Sequence, residues 1–442
     1  MEHIVIIGNG IAGITAARHI RKLSGPLAGE AGKKITIISA EADYFFSRTA
    51  LMYVYMGHLR WRDIQPYESW FWKKNNLQLK KAYVESIDTD NKTLYFQNGG
   101  TMTYDKLIIA SGSVTNTFGW EGLQLKGVQG LVSKQDLEKL EKNAPNNKAC
   151  PRAVIVGGGL IGVEMAEMLR TRNIAVTMLV REPAFWANVL PKPDAEMISR
   201  HIGSHGVELR HNTQLDKILG DGQGKVRAVV TTDGDEIPCT LVGIATGVKP
   251  QISFLKKSKI ETDRGILVNR RLETNIKDVY AIGDCAQQRE PIGHRPAVEA
   301  VWYTGRMMGE AVAQTICGNP FAYQPGNWFN SAKFFDIEYQ TYGWVFSESK
   351  KKDYEAQLHW ECKSDLRCVT ISYHRDTKEF LGINTFGIRM KHEVFDRWLN
   401  QKRSVDYVME HLKEANFDPE FYRKYEKEIL KEYETFSNIA TS

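Results

Sequence analysis

An apolar run, Ile4-Val5-Ile6-Ile7, passes directly into Gly8-Asn9-Gly10-Ile11-Ala12-Gly13. The same grammar returns where Ala153-Val154-Ile155-Val156 passes into Gly157-Gly158-Gly159-Leu160-Ile161-Gly162. Each reads as a strand, a tight glycine turn and a helix. The glycines permit the turn, let the backbone approach a pyrophosphate and seat the helix on the sheet. The phosphates then meet a helix N-terminus, where unpaired N–H groups favour anions. One G-x-G-x-x-G is weak evidence. Two, each between an apolar strand and a helix, imply two bound dinucleotides, and the economical reason for holding both is electron transfer between them.

The chain of 442 residues has room for two or three domains, and 42% apolar with 25% charged residues is ordinary for a globular protein. A net charge of +5 gives no support for nucleic-acid binding, though it leaves room for a local basic patch. The six cysteines are scattered, which suits a reducing compartment better than a disulfide framework. Met1-Glu2-His3 leads straight into the first strand, with no basic n-region and no long apolar stretch. A cytoplasmic protein without a transmembrane segment is expected.

The first unit continues with a helix over 14–23, a Gly/Pro-rich loop over 24–29 and a strand over 34–39 that ends near Glu41. An acid there binds ribose hydroxyls in dinucleotide folds, and the inserted loop explains its late position; otherwise Glu41 is a solvated strand end. The second unit has a helix over 161–172 and a strand over 175–180. Ala110-Ser111-Gly112 and Ala245-Thr246-Gly247 echo each other, as an internal duplication would leave them.

Taken together, these segments resemble the FAD-dependent pyridine nucleotide–disulfide oxidoreductase superfamily. The resemblance runs over about residues 1–345. It rests on both glycine fingerprints, on Tyr104 to Gly112, on Ala245 to Pro250 and on Thr274 to Asp284, in the family's order. It implies an α/β architecture of two Rossmann-like dinucleotide-binding domains, one for FAD and one for NAD(P)H, plus an α+β C-terminal interface domain. The implied boundaries are 1–118 with 248–325 for FAD, 119–247 for NAD(P)H, and 326–442 for the interface or dimerisation domain.

The same resemblance places FAD against Gly8, Gly10, Ile11, Ala12, Gly13, Glu41, Arg48, Val84, Ala110, Ser111, Gly112, Gly283 and Asp284, with Trp302 as a stacking candidate. It places the nicotinamide nucleotide against Gly157, Gly159, Leu160, Ile161, Gly162, Glu164, Arg181 and Gly247. Glu164 and Arg48 are the residues it sets nearest the chemistry. Bottom-up, Glu164 is equally a helpful charge in the first turn of a helix, Asp284 a helix N-cap, and Arg48 a surface arginine.

Disulfide members of the family carry a Cys pair on the helix after the first unit. Here Phe45-Phe46-Ser47-Arg48-Thr49-Ala50-Leu51-Met52-Tyr53 holds no cysteine, and none precedes Cys150. The stretch is similar to the branch lacking the redox-active cysteines: ferredoxin, rubredoxin and nitrite reductases and apoptosis-inducing factor. That implies hydride transfer from NAD(P)H to flavin, then electrons to a separate small redox protein. An oxidase using oxygen and a slow flavin redox sensor are the alternatives. In the second unit Val180 fills the usual place of the ribose acid and Arg181 follows, which leans towards NADPH, with Glu182 against it.

Cys362 and Cys368 flank a hairpin turn and could pair or stay reduced. His201 and His205 lie one helical turn apart beside Gly206. They read as a helix C-terminus, and no metal site is expected without further ligands. Beyond residue 330, segments 333–344 and 368–386 predict antiparallel strands. Two helices should follow, one striped by Val405, Val408, Met409 and Leu412, the next starting at Asp418-Pro419. The family uses this region at dimer interfaces. Trp61, Trp70 and Trp72 either line a path to the flavin or form a packed loop.

Overall fold

A computed structural model describes residues 1–25, 32–417 and 424–440, with side chains placed to residue 436. The end of the Gly/Pro-rich loop and the Asp418-Pro419 helix start lie outside the described residues. The chain groups into two compact units: 1–118 with 129–143 and 247–325, and 119–128 with 144–246 and 326–442. Residues 129–143 therefore belong with the first dinucleotide fold, and 326–442 group with the second.

In the first unit a parallel sheet runs in the order Val279–Ala281, Lys106–Ile109, Glu2–Ile7, Lys33–Ser39, Leu77–Lys81. Its central strands are nearly continuous aliphatics, and Ile4, Val5, Ile6, Leu107, Ile108 and Ile109 are completely buried. A sheet covered on both faces requires that pattern. Helix Ile11–Ser24 packs on helix Trp302–Ile316. A methyl on Gly309 would stand 2.6 Å from the Ala12 carbonyl oxygen, so the missing side chain sets how close the two helices come. The chain leaves this unit through Ser113–Thr115 and returns through Val248–Pro250, paired antiparallel.

The second unit repeats the plan, with parallel strands Val207–His211, Ala175–Val180, Arg152–Val156 and Leu241–Ile244. Helix Leu160–Thr171 follows the glycine turn. The equivalence extends to atoms. The Gly8 amide donates to the Ile38 carbonyl at 2.8 Å and the Gly157 amide to Leu179 at 3.0 Å. The Ala110 amide donates to Ile7 at 2.7 Å and the Ala245 amide to Val156 at 2.8 Å.

Residues 326–442 form an antiparallel sheet in the order Phe329–Phe334, Ile337–Gly343, Phe380–Phe386, Cys368–His374, Glu355–Glu361. Strand Glu355–Glu361 and helix His392–Asn400 come in addition to the elements expected from sequence; helices Val405–His411 and Glu426–Ala440 complete the set. One sheet face packs against these helices through Trp360, Val369, Ile371 and Tyr373. The other meets helix Lys192–Ser204 of the second dinucleotide fold. There the fully buried Asp194 accepts hydrogen bonds from the Thr370 hydroxyl and, at 3.0 Å, from Asn384 Nδ2. Cys368 sits opposite Glu361 in the ladder, on the Asp194 face, at 3.8 Å from Oδ1. Cys362 is one residue further along and so faces the other way, into the helix side. The two thiols cannot bridge, and all six cysteines are free.

Candidate functional site

The two glycine turns are built alike. A methyl on Gly8 would stand 2.0 Å from the Ala110 carbonyl oxygen, and one on Gly157 would stand 2.4 Å from that of Ala245. Both glycines also have positive φ, 110° and 117°. Gly13 and Gly162 lie against the carbonyls of Gly8 and Gly157, at 2.0 and 2.4 Å on the same measure. These four positions are glycine for internal reasons. Gly10 and Gly159 are different: a methyl there would meet nothing within 4 Å. Both have negative φ, −84° and −124°, which any residue adopts. Glycine at those two positions leaves space outside the protein's own packing, directly before a helix start, as a pyrophosphate cradle requires. The Asn9 side chain adds to this, since its buried amide nitrogen and oxygen have no partner among the described residues. The residues fit a dinucleotide at each turn.

Around the first turn, Glu41 and Arg48 meet directly. Arg48 Nη1 lies 2.9 Å from Glu41 Oε1 and Nη2 lies 2.6 Å from Oε2. The guanidinium also donates to the Val132 carbonyl. Desolvation opposes the charge on Arg48, but Glu41, with Asp284 and Asp136 beyond, outweighs it and raises the pKa. Glu41 Oε1 further accepts the Lys134 amide at 2.8 Å, and Gln135 Nε2 donates to the Glu41 carbonyl at 2.9 Å. Segment 129–143 thus closes over the strand end. The boundaries expected from sequence put this segment with the nucleotide domain; it groups instead with the first unit, and no local signal in the sequence marks that.

Asp284 lies on a half-buried turn and accepts the Ser113 hydroxyl at 2.7 Å. Burial raises its carboxyl pKa, against the opposing pull of Ser113 and the Arg48 charge. Ser111 Oγ is engaged by the Gln251 carbonyl at 2.7 Å, so the backbone of this turn, rather than that hydroxyl, is left to face a ligand. Gly283 has φ 71° and lies on Ala12. Val84 is buried at the start of strand Val84–Asp88. Ile11 and Ala12 open the first helix. Trp302 is the first residue of helix Trp302–Ile316, edge-on to Tyr303 at 5.4 Å.

Of the three early tryptophans, Trp72 is buried in an aromatic cluster with Tyr67 and Phe71, Trp70 is exposed, and Trp61 packs on Phe46 at 4.9 Å. They do not form one surface.

At the second turn, Leu160 and Ile161 open the helix and Glu164 follows one turn in. Burial, with the carboxylate of Glu167 adding to it, pushes the Glu164 carboxyl up to about 7. Glu167 is itself held by Lys333 at 2.6 Å. Arg181 ends the second strand's turn, exposed and paired with Glu182 at 2.9 Å. Gly247 has φ 88°, matching Gly112 at 71°.

Two turned-out dinucleotide cradles on one chain define a two-cofactor redox protein. The family model described as pyridine nucleotide-disulphide oxidoreductase matches residues 2–309, and the chain belongs to that family. FAD and NAD(P)H are its cofactors. A ferredoxin–NAD(P)(+) reductase of Sphingomonas sp. is 30% identical over 346 residues, 77% of this chain and 80% of that one. The NAD(P)H nitrite reductase of Bacillus subtilis is 30% identical over 290 residues, 65% of this chain but 35% of the larger enzyme. The chain thus spans about a third of that relative. Among solved structures, a ferredoxin reductase from Rhodopseudomonas palustris superposes with a TM-score of 0.78 at 20% identity, covering 96% of this chain and 98% of its own. The water-forming NADH oxidase of Lactobacillus brevis superposes at 0.82 with 18% identity, each chain fully covered. These two likenesses concern the fold. No described helix is long and apolar enough to cross a membrane.

Proposed function

We propose that this chain is an NAD(P)H-dependent flavoprotein reductase that hands electrons to a separate acceptor, a small redox protein. The observation that carries the reading is the segment after the first βαβ unit: it presents Arg48, locked to Glu41, where thiol-using members present cysteine. When bound, the nicotinamide supplies hydride and the flavin accepts it and releases electrons onwards. The chain's own work is placement. Gly8 to Gly13 and Gly157 to Gly162 seat the two pyrophosphates on helix N-termini. Glu41 serves the FAD ribose, with Arg48 as the counter-charge that keeps the carboxylate in position. Asp284, held by Ser113, faces the phosphate–ribityl side, along with Ala110, Gly112 and Gly283, while Val84 closes the adenine end.

In the second fold Glu164 is the acid by the nicotinamide, and Arg181 meets the 2′-phosphate of NADPH. On this reading 1–118 with 129–143 and 247–325 hold FAD, 119–128 with 144–246 hold the nucleotide, and 326–442 carry partner recognition. The relatives that reduce ferredoxin or rubredoxin support a protein acceptor, and scattered cysteines support a cytosolic setting.

The test is anaerobic stopped-flow mixing of the yellow protein with NADPH and, separately, NADH. Rapid loss of flavin absorbance with one nucleotide, followed by rapid reoxidation by a ferredoxin or rubredoxin, is expected. Slow bleaching with both nucleotides would overturn the reductase reading in favour of a sensor. Reoxidation by oxygen alone would make it an oxidase.

A further inference from the structure

His201 and His205 stand one turn apart at the end of helix Lys192–Ser204, and the fold supplies them with a third group that the sequence did not reveal. Asp336, at the tip between strands Phe329–Phe334 and Ile337–Gly343, brings Oδ1 to 2.8 Å from His201 Nε2 and 3.5 Å from His205 Nε2. The three ligand atoms all lie within 4.8 Å of one another.

The hydrogen bonding at His205 is the telling feature. Its Nδ1 lies 3.0 Å from the His201 carbonyl oxygen. A carbonyl only accepts, so Nδ1 carries the proton, and in the neutral ring Nε2 is left with a lone pair. That lone pair faces the carboxylate of Asp336. Acceptor facing acceptor at this distance needs a cation between them. A ring fixed by an Nδ1–H bond to a backbone carbonyl is also how metal-bound histidines are oriented. Phe335 stacks on the His205 ring at 4.4 Å and holds its plane.

We propose that His201, His205 and Asp336 bind one divalent transition-metal ion of the zinc type, tying the C-terminal sheet to the last turn of the helix. Imidazole and carboxylate suit this class of ion. A tetrahedral zinc with bonds of about 2.0–2.1 Å needs ligand atoms about 3.3 Å apart, and Asp336 Oδ1 stands 2.8 and 3.5 Å from the two imidazole nitrogens. Asp336, 75% exposed on a hairpin tip, can supply the small adjustment, whereas His201, 2% exposed, is fixed. The Phe334 carbonyl lies 3.1 Å from His201 Nε2, so in the metal-free ring that nitrogen carries a proton, which the metal ion displaces on binding; a water completes the shell.

The experiment is calorimetric titration of the chelator-treated, FAD-loaded full chain with zinc chloride, alongside Asp336→Asn and His205→Gln. Both substitutions are at accessible positions, and far-UV circular dichroism with FAD content verifies folding. One zinc per chain is expected, with Tm raised on binding, and affinity at least about tenfold weaker in each variant. No binding by the parent chain would overturn the proposal, leaving a proton as the cation that His205 and Asp336 share. Binding at the parent's affinity in either folded variant would overturn it too.

Discussion

Both terminal nitrogens of Arg48 rest on the two carboxylate oxygens of Glu41, at 2.9 and 2.6 Å, a parallel two-point pairing that only arginine can make. The pair is partly open, with side chains 44% and 24% exposed, so its contribution to stability is small, about 0–1 kcal/mol. On the proposed reading its value lies in orienting Glu41 towards the FAD ribose. Glu41→Gln should therefore leave Tm nearly unchanged while weakening FAD binding about 10–100-fold, the worth of a hydrogen bond to a charged group. Arg48→Lys should do the same to a smaller degree. Fluorescence titration of the deflavinated variants measures it. A variant that unfolds along with its loss of flavin would show the pair to be structural instead.

The glycine turns allow a sharper separation of fold from function. Gly10→Ala places a methyl in space that no protein atom fills, at a φ that alanine accepts. The variant should fold with unchanged Tm after flavin removal, yet bind FAD about tenfold or more weakly, because the methyl occupies the cofactor's approach. Gly8→Ala drives a methyl to 2.0 Å from the Ala110 carbonyl at a φ of 110°. It should cost about 1–3 kcal/mol or more through overpacking and backbone strain. Thermal unfolding of the two flavin-free variants, side by side, is the check; equal Tm values would contradict the assignment.

Glu164 makes stability depend on pH in a definite direction. Its carboxyl is raised to about 7 from an ordinary 4.5. Between those values the folded chain holds a proton that the unfolded chain has released, so stability is greatest below about pH 4.5 and falls as pH rises through 7. Glu164→Gln removes the penalty. It should match the parent near pH 4 and exceed it at pH 8 by several degrees in Tm, since a carboxyl raised from 4.5 to about 7 costs roughly 3 kcal/mol once ionised. Glu167→Gln should move the midpoint of the parent's pH dependence downwards, because the Glu167 charge adds to burial in raising it. A pH-independent difference would remove Glu164 as the titrating group.

What sequence alone disclosed followed from periodicity and turn chemistry. The strand read over 175–180 is Ala175–Val180, and the helix read over 161–172 is Leu160–Thr171, because a fully apolar strand and a glycine turn leave few alternatives. Helix His392–Asn400 escaped notice because its apolar positions, Val394, Phe395 and Trp398, are crowded among charges in only nine residues. Yet Trp398 is completely buried. Contacts between distant segments were invisible for a different reason. Nothing local to Glu41 announces Lys134, and nothing local to His201 announces Asp336; each partner is delivered by chain crossings that spacing does not encode. The clean separation of Cys362 from Cys368 likewise needed the strand register, since one residue of offset decides the face.

On the proposed reading nucleotide preference turns on Arg181, which follows the strand Ala175–Val180 with its side chain 67% exposed and paired with the adjacent Glu182 at 2.9 Å. An exposed pair of neighbours is weak, so the guanidinium is available at little cost to a stronger anion. A 2′-phosphate would offer that, through charge-assisted hydrogen bonds worth about 1.5–3 kcal/mol. Arg181→Gln should then raise the KM for NADPH about tenfold or more and leave that for NADH within a factor of about two, since NADH lacks the phosphate. Glu182→Gln should act oppositely, freeing Arg181 and lowering the KM for NADPH modestly. Steady-state assays with an artificial acceptor such as ferricyanide, run with both nucleotides on each variant, decide it. Equal losses for both nucleotides in Arg181→Gln would remove Arg181 from the specificity site and leave the strand end to serve NADH.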